Sequence, residues 1–197
     1  MPNTTNDTRP FINCQDLKMW KMTDEAAGTY STTALNFSDR LTNYNDTLAH
    51  NETDLYGDGE LVDTVVSEGK GTLTLGIHHV LDTERVDLYN EQTVTGAVVS
   101  TGDEIAPFFC VALSTKKRNG NICLRKWFKV AFQKHDESVT QQEANGTTYS
   151  MPTLTGSYTK NTVLGYKCAR REVDPTTTEG QAIITAWYGT AAYIGES

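Results

Sequence analysis

The sequence predicts a mainly β protein: an antiparallel β-sandwich or partial barrel with one flanking α-helix, a short C-terminal helix and a long protruding loop. Three observations lead there. Leu73, Leu75 and Ile77 alternate with small or polar residues, the period of two that a half-buried strand requires. Asn119-Gly120 lies between two apolar-rich runs, 107–115 and 122–132, which is the strongest short-range hairpin signal. Helical periodicity is confined to two short segments while strand-like runs recur at short intervals, a pattern of sheet packed on sheet with helices as additions.

Residues 1–10 are polar and rich in Asn and Thr, and read as a flexible arm that orders on assembly. An ordered stretch is expected from Phe11, within a single domain over 11–197 that carries no extra C-terminal immunoglobulin-like domain. At 197 residues the chain is long enough to bury a core without disulfides or metals. Between Thr42 and Gly71 it is dense in Asn, Asp, Gly, Glu and Thr, with Leu48, Leu55, Tyr56, Leu61, Val62, Val65 and Val66 as the apolar exceptions. This stretch, about 42–70, reads as a long protruding loop or hairpin. Such length in a compact domain implies either a contact element or a disordered insertion.

After the strand at 71–77, Leu81, Val86, Leu88 and Tyr89 fall at helical spacing. A short amphipathic helix is expected over 82–92, capped by Asp82 or Thr83 with Glu84 in its first turn. A two-residue type I′ turn at Asn119-Gly120 sets Val111 against Phe128, Phe109 against Val130 and Thr115 against Leu124. One face of that hairpin is then almost wholly apolar. The other carries Phe108, Cys110, Ala112, Ser114, Cys123, Arg125, Trp127 and Lys129, with Cys110 opposite Lys129 and Cys123 opposite Lys116. Further strands are expected at 149–158 and 163–171, with bends at Gly156 and Gly165. Asp174-Pro175 announces a helix whose apolar face is Ile183, Ile184 and Trp187.

Composition narrows function. With 17 Lys and Arg against 25 Asp and Glu, the net charge of −8 argues against a surface that grips nucleic acid, where clustered cations supply most of the affinity. No apolar run approaches the roughly 20 residues that span a bilayer, so no membrane association is expected, and the first ten residues have neither the basic flank nor the apolar stretch of a signal peptide. The Asn-x-Ser/Thr sequences at Asn3, Asn6, Asn36, Asn45, Asn51 and Asn145 then follow from Asn/Thr-rich composition. Cys14, Cys110, Cys123 and Cys168 form no Cys-x-x-Cys unit and read as free thiols.

No catalytic, cofactor-binding or metal-binding constellation emerges. His78 and His79 are adjacent, so on a strand they point to opposite faces; His50 and His135 lack ligand-spaced companions. Tyr56-Gly57-Asp58-Gly59-Glu60 lacks the ligand order of an EF-hand loop and reads as a solvated acidic turn. The chain is therefore expected not to be an enzyme and to need no cofactor.

Four segments in order, Gly71-Thr-Leu-Thr-Leu-Gly76, Gly102-Asp-Glu-Ile-Ala-Pro-Phe-Phe109 continuing to Leu113, Trp127-Phe-Lys-Val-Ala-Phe132, and Tyr149-Ser-Met-Pro-Thr-Leu-Thr-Gly156, resemble the major tail (tail tube) protein family of long-tailed, non-contractile siphophages of Gram-positive bacteria. The resemblance covers residues 70–190. It implies a virion structural protein made in the host bacterial cytoplasm, whose hexameric rings stack through a long loop into the tail tube, the conduit for DNA ejection. Here that loop offers Tyr44, His50, Asp54, Tyr56, Asp58 and Glu60 as candidate ring-stacking residues. The implied partners are further copies of the chain, a tape measure protein, and tail terminator and distal tail or baseplate proteins. DNA passes through an acidic lumen without specific binding. A baseplate or receptor-binding β-sandwich module is the alternative, because fold alone does not separate the two.

Overall fold

A computed structural model describes residues 10–58, 60–135 and 151–194. The expected arm lies almost wholly outside these residues, as does the start of the strand expected at 149–158. In chain order the elements are β1 (Phe11–Asp24), β2 (Thr29–Tyr30), β3 (Leu35–Asn36), β4 (Leu41–Gly57), β5 (Glu60–Ile77), α1 (Asp82–Tyr89), β6 (Gln92–Val94), β7 (Ala97–Val99), β8 (Phe108–Lys117), β9 (Ile122–Phe132), β10 (Thr153–Tyr158), β11 (Cys168–Val173) and α2 (Thr178–Gly189). The fold is mainly β and antiparallel, as expected.

The main sheet runs β2-β1-β8-β9-β10-β5-β4, with β3 on β1 and β11 on β9. Strand β9 is shared along one edge: residues 122–127 pair with β11 and residues 130–132 with β10. The described strands curl without closing into a barrel, although the ends approach where the Cys14 thiol meets the Thr42 carbonyl at 3.6 Å.

Period-two alternation supplies the interior. Leu17 and Met19 of β1, Leu73, Leu75 and Ile77 of β5, Val111 and Leu113 of β8, Trp127 and Phe132 of β9, and Leu154 and Tyr158 of β10 form one buried cluster, closed at one end by Leu88 and Tyr89 of α1. The other face of β8 and β9 forms a second cluster, in which Trp20, Cys110, Ala112, Leu124 and Phe128 lie under Trp187 of α2. Burying both faces of these strands accounts for their near-continuous apolar character.

The hairpin corrects the expected register. Lys117 N–H donates to the Asn121 carbonyl at 2.8 Å and Gly120 N–H to the Lys117 carbonyl at 3.0 Å. The loop therefore has three residues, with Gly120 alone in the left-handed region at φ 96°. A type I′ turn would need positive φ at Asn119 as well. Thr115 consequently opposes Cys123, not Leu124, and Val111 opposes Trp127, not Phe128. The expected Phe109–Val130 pair is recovered only because a bulge sets Phe128 and Lys129 against Cys110. That slip exchanges faces: Trp127 enters the interior cluster and Phe128 packs under α2. Cys123 therefore does not face Lys116, whereas Cys110 faces both bulge residues, Phe128 and the expected Lys129. The described two-residue turn of this kind is Thr95-Gly96, with φ 51° and 83°, between β6 and β7.

Two local expectations also change. Neither Asp82 nor Thr83 caps α1; Leu81 holds the N-cap position, and Glu84 reaches back to its N–H at 2.8 Å. Gly156 is not a bend but lies within β10, where an added Cβ would approach Val130 Cγ1 to 2.7 Å. Gly165 does turn, at φ 78°. All four cysteines are free thiols.

Helix α2 begins at Thr177, whose hydroxyl accepts from Gly180 N–H at 3.0 Å. Its C-terminal end lacks a basic residue of its own. The missing cation comes from the sheet: fully buried Lys126 of β9 donates to the carbonyls of Trp187, Thr190 and Tyr193, each at 2.9 Å. Its ammonium also lies 4.8 Å from the Trp187 ring centroid and 5.5 Å from that of Trp20. Orphan carbonyls at a helix C-terminus carry partial negative charge, so this is the site at which a buried cation is best tolerated.

Replacing Lys126 with Met would keep most of the volume but leave the carbonyls without their donor. Removing one partner of such a buried set costs about 3 kcal/mol. Urea unfolding should register that loss, and brief protease treatment should release peptides from α2 before the rest of the chain.

Burial lowers Lys126 to about 8 and raises Cys110 to about 12. A thiol raised in the folded state contributes stability below its ordinary value of 9.0 and loses it as pH climbs toward 12. Depressed Lys126 acts oppositely between about 8 and 10.5. Cys110→Ala removes the thiol's titration together with its coulombic effect on Lys126, so the destabilisation it causes at pH 7.5 should shrink above pH 9. Denaturation midpoints of wild type and variant across pH 7.5–11 provide the comparison; a constant difference would contradict the assignment.

Candidate assembly surface

Strands β4 and β5 are long for a globular protein, and only their inner halves belong to the sheet. Tyr44 pairs with Leu75, Asp46 with Leu73 and Leu48 with Gly71. Here the hairpin is tied to the core. Half-buried Tyr44 packs 6.3 Å from the Trp127 ring, and the Arg125 guanidinium lies 5.4 Å from its ring centroid. Asp46 accepts from Trp127 Nε1 at 3.3 Å and from the Tyr158 hydroxyl. Gly71 makes this possible, since a Cβ there would fall 2.1 Å from Tyr158 Cζ. Lys167 adds a bond of 2.7 Å to the Gly69 carbonyl.

Beyond this root a bulge sets Gly69 and Lys70 against Ala49, and the strands continue alone. Pairing resumes at His50–Glu68 and runs to Gly57–Glu60, where Asp58 turns the chain at φ 52°. At about 3.3 Å per residue the free ribbon extends roughly 30 Å. The Thr64 hydroxyl donates to Asp54 across it at 2.8 Å.

The ribbon is exposed on both faces. Leu55, Tyr56, Val62, Val65 and Val66 are each more than half exposed, at 57–65%, and they interrupt a strongly acidic surface. Residues 51–67 hold Glu52, Asp54, Asp58, Glu60 and Asp63 and no Lys or Arg. A two-stranded hairpin in water is marginal by itself, and apolar groups displayed along it are the kind of feature that contact surfaces carry.

The structure spreads the sequence-derived candidates along this element. Tyr56, Asp58 and Glu60 gather at the tip, Asp54 and His50 lie along the shaft, and Tyr44 sits at the root, where it anchors rather than projects. The apolar residues of the shaft were visible in the sequence as exceptions to a polar stretch. The cationic residues around the root, Arg125, Lys167 and Arg170, were not, because they come from strands distant in sequence. His78 and His79 lie exposed just past the end of β5, and His135 Nδ1 is 2.8 Å from the Tyr89 hydroxyl. Among the described residues no three His, Cys, Asp or Glu side chains converge on a metal position. No described helix is long and apolar enough to cross a membrane.

No protein-family model matches the chain, and no curated protein matches it. Similar solved structures include the tube-terminating cap of the anti-feeding prophage, at a TM-score of 0.45 and 8% identity over 87% of this chain and 99% of that one. A chain of the six-fold symmetrised anti-feeding prophage baseplate matches at a TM-score of 0.40 and 11% identity, over 87% of this chain and 100% of that one. Similarity at this level assigns neither a family nor an activity.

The bulge gives a natural place to cut. Replacing residues 51–67 with a two-residue Asn-Gly turn removes the free ribbon and spares Asp46, Leu48 and Gly71. The shortened protein should remain folded, with a melting temperature within a few degrees of wild type. A cooperative transition that disappears would place the ribbon in the folding core.

Proposed function

We propose that this chain is a virion structural protein of a bacteriophage tail, polymerising as stacked hexameric rings into the tail tube through which DNA is ejected. The observation that carries the reading is the free β4–β5 ribbon: roughly 30 Å of exposed, acidic and partly apolar hairpin that none of the described residues covers. A neighbouring copy that receives the ribbon satisfies both its marginal stability and its exposed valines. Sequence resemblance to siphophage major tail proteins over residues 70–190 supports the same role.

The reading is structural rather than catalytic. A net charge of −8 suits a conduit that DNA must slide through, since acidic walls repel its backbone. Lateral strand edges left open in one copy are covered by ring closure, which removes an aggregation hazard. Contacts with a tape measure protein, a tail terminator and distal tail or baseplate proteins belong to the same proposal, as does residence in the virion after synthesis in the bacterial cytoplasm.

Negative-stain electron microscopy of the purified protein over a concentration series tests it. Rings or hollow tubes are expected, and their symmetry can be counted directly. Monomers persisting at the highest concentration under every salt condition would overturn the reading.

A further inference from the structure

Arg125 of β9 and Arg170 of β11 stand directly opposite one another, a placement that destabilises a sheet unless an anion lies between or beside the two charges. Among the described residues neither arginine forms an ion pair. Arg125 Nε is buried without an acceptor, and its guanidinium is held between rings, 5.4 Å from that of Tyr44 and 5.8 Å from that of Phe11. Arg170 lies 5.7 Å from the same Phe11 ring, and its Nε donates to the Cys123 sulfur at 3.0 Å, a weak acceptor for a cation. The carboxylate at the ribbon root, Asp46, is already engaged by Trp127 and Tyr158. Glu172, one register step along, binds Lys117 at 2.6 Å.

We infer that the Arg125–Arg170 pair, walled by Phe11 and Tyr44, receives carboxylates from the acidic ribbon of a second copy of this chain. The planar guanidinium fork suits a carboxylate, and the apolar rings suit the valines and leucine that alternate with the ribbon's acids. The ribbon of the same copy does not reach: Asp54 lies ten residues outward from Tyr44 on one strand, about 33 Å away at roughly 3.3 Å per residue. Donor and receptor are thus at opposite ends of one hairpin, so each copy offers a ribbon to the next and a receptor to the one before. Such head-to-tail contacts do not close on a pair but propagate. The inference rests on the tail-tube reading and names the surface on which its stacking contact forms.

The test uses two full-length variants, Arg125→Glu with Arg170→Glu, and Glu52→Lys with Asp54→Lys, Asp58→Lys and Glu60→Lys. Each alone should need at least about ten-fold more protein to sediment as an assembly than wild type does, while an equimolar mixture, in which every ribbon meets a receptor of opposite sign, should regain assembly. Circular dichroism and thermal melting establish that each variant is folded; should the glutamate pair not fold, Arg125→Gln with Arg170→Gln gives the same comparison with a smaller loss. Wild type that assembles alongside an equally competent arginine variant overturns the receptor and leaves the tail reading intact, whereas wild type that never assembles overturns both. Assembly lost on removing residues 1–9 but kept on reversing the ribbon's charge would assign the arginines to the amino-terminal segment and also overturn the inference.

Discussion

The bulge that sets Phe128 and Lys129 against Cys110 decides which way the side chains of the two halves of β9 face. Between the turn and the bulge the strands keep the register of the three-residue loop, and on the far side Phe109 and Val130 share the interior one residue out from it. Trp127 is thereby turned inward, where its indole N–H meets Asp46 at the ribbon root. Lys126 is turned outward, beneath α2. A single extra residue thus couples two distant parts of the molecule, because strand geometry allows only two directions and a shift of one exchanges them.

Lys126 shows why that coupling matters energetically. An ammonium removed from water is costly unless it is paired or richly bonded. Here the partners are three carbonyls at the end of α2 and two indole faces, so the helix and the buried charge require each other. The second cluster is held together by this polar centre as well as by apolar contact. It also fixes where α2 ends: the carbonyls that converge on the ammonium span Trp187 to Tyr193, and the chain leaves helical geometry between them.

Much of this was legible in the sequence because the relevant signals are local. Alternation at Leu73, Leu75 and Ile77 marked β5, helical spacing around Val86 and Tyr89 marked α1, and Asp174-Pro175 marked the approach to α2. The hairpin at Asn119-Gly120 is visible in the sequence but its loop length is not, since Asn-Gly fits both a two-residue turn and the end of a three-residue one. Lys126 reads as a surface lysine until α2 is laid over it. Only part of the contact surface was visible beforehand: the polar stretch 42–70 stood out, but its division into a core-bound root and a free ribbon depends on Gly71, Tyr158 and Asp46 meeting from three strands. Arg125 and Arg170 face each other only because β11 pairs with β9, and that pairing has no sequence signature.

The bulge at Ala49, with Gly69 and Lys70 opposite, has a mechanical side. Inward of it the hairpin is braced by Trp127, Tyr158 and Lys167; outward, two strands stand alone. A bulge locally breaks the ladder, bends the strand and increases its twist, so compliance is concentrated there. Force applied at Asp58 acts through a lever of roughly 30 Å on this irregular step, with a second irregularity near the tip between Leu55 and Tyr56. The ribbon therefore swings as a stiff arm on a short joint, and a sideways pull bends the joint before it disturbs the packed sheet behind it.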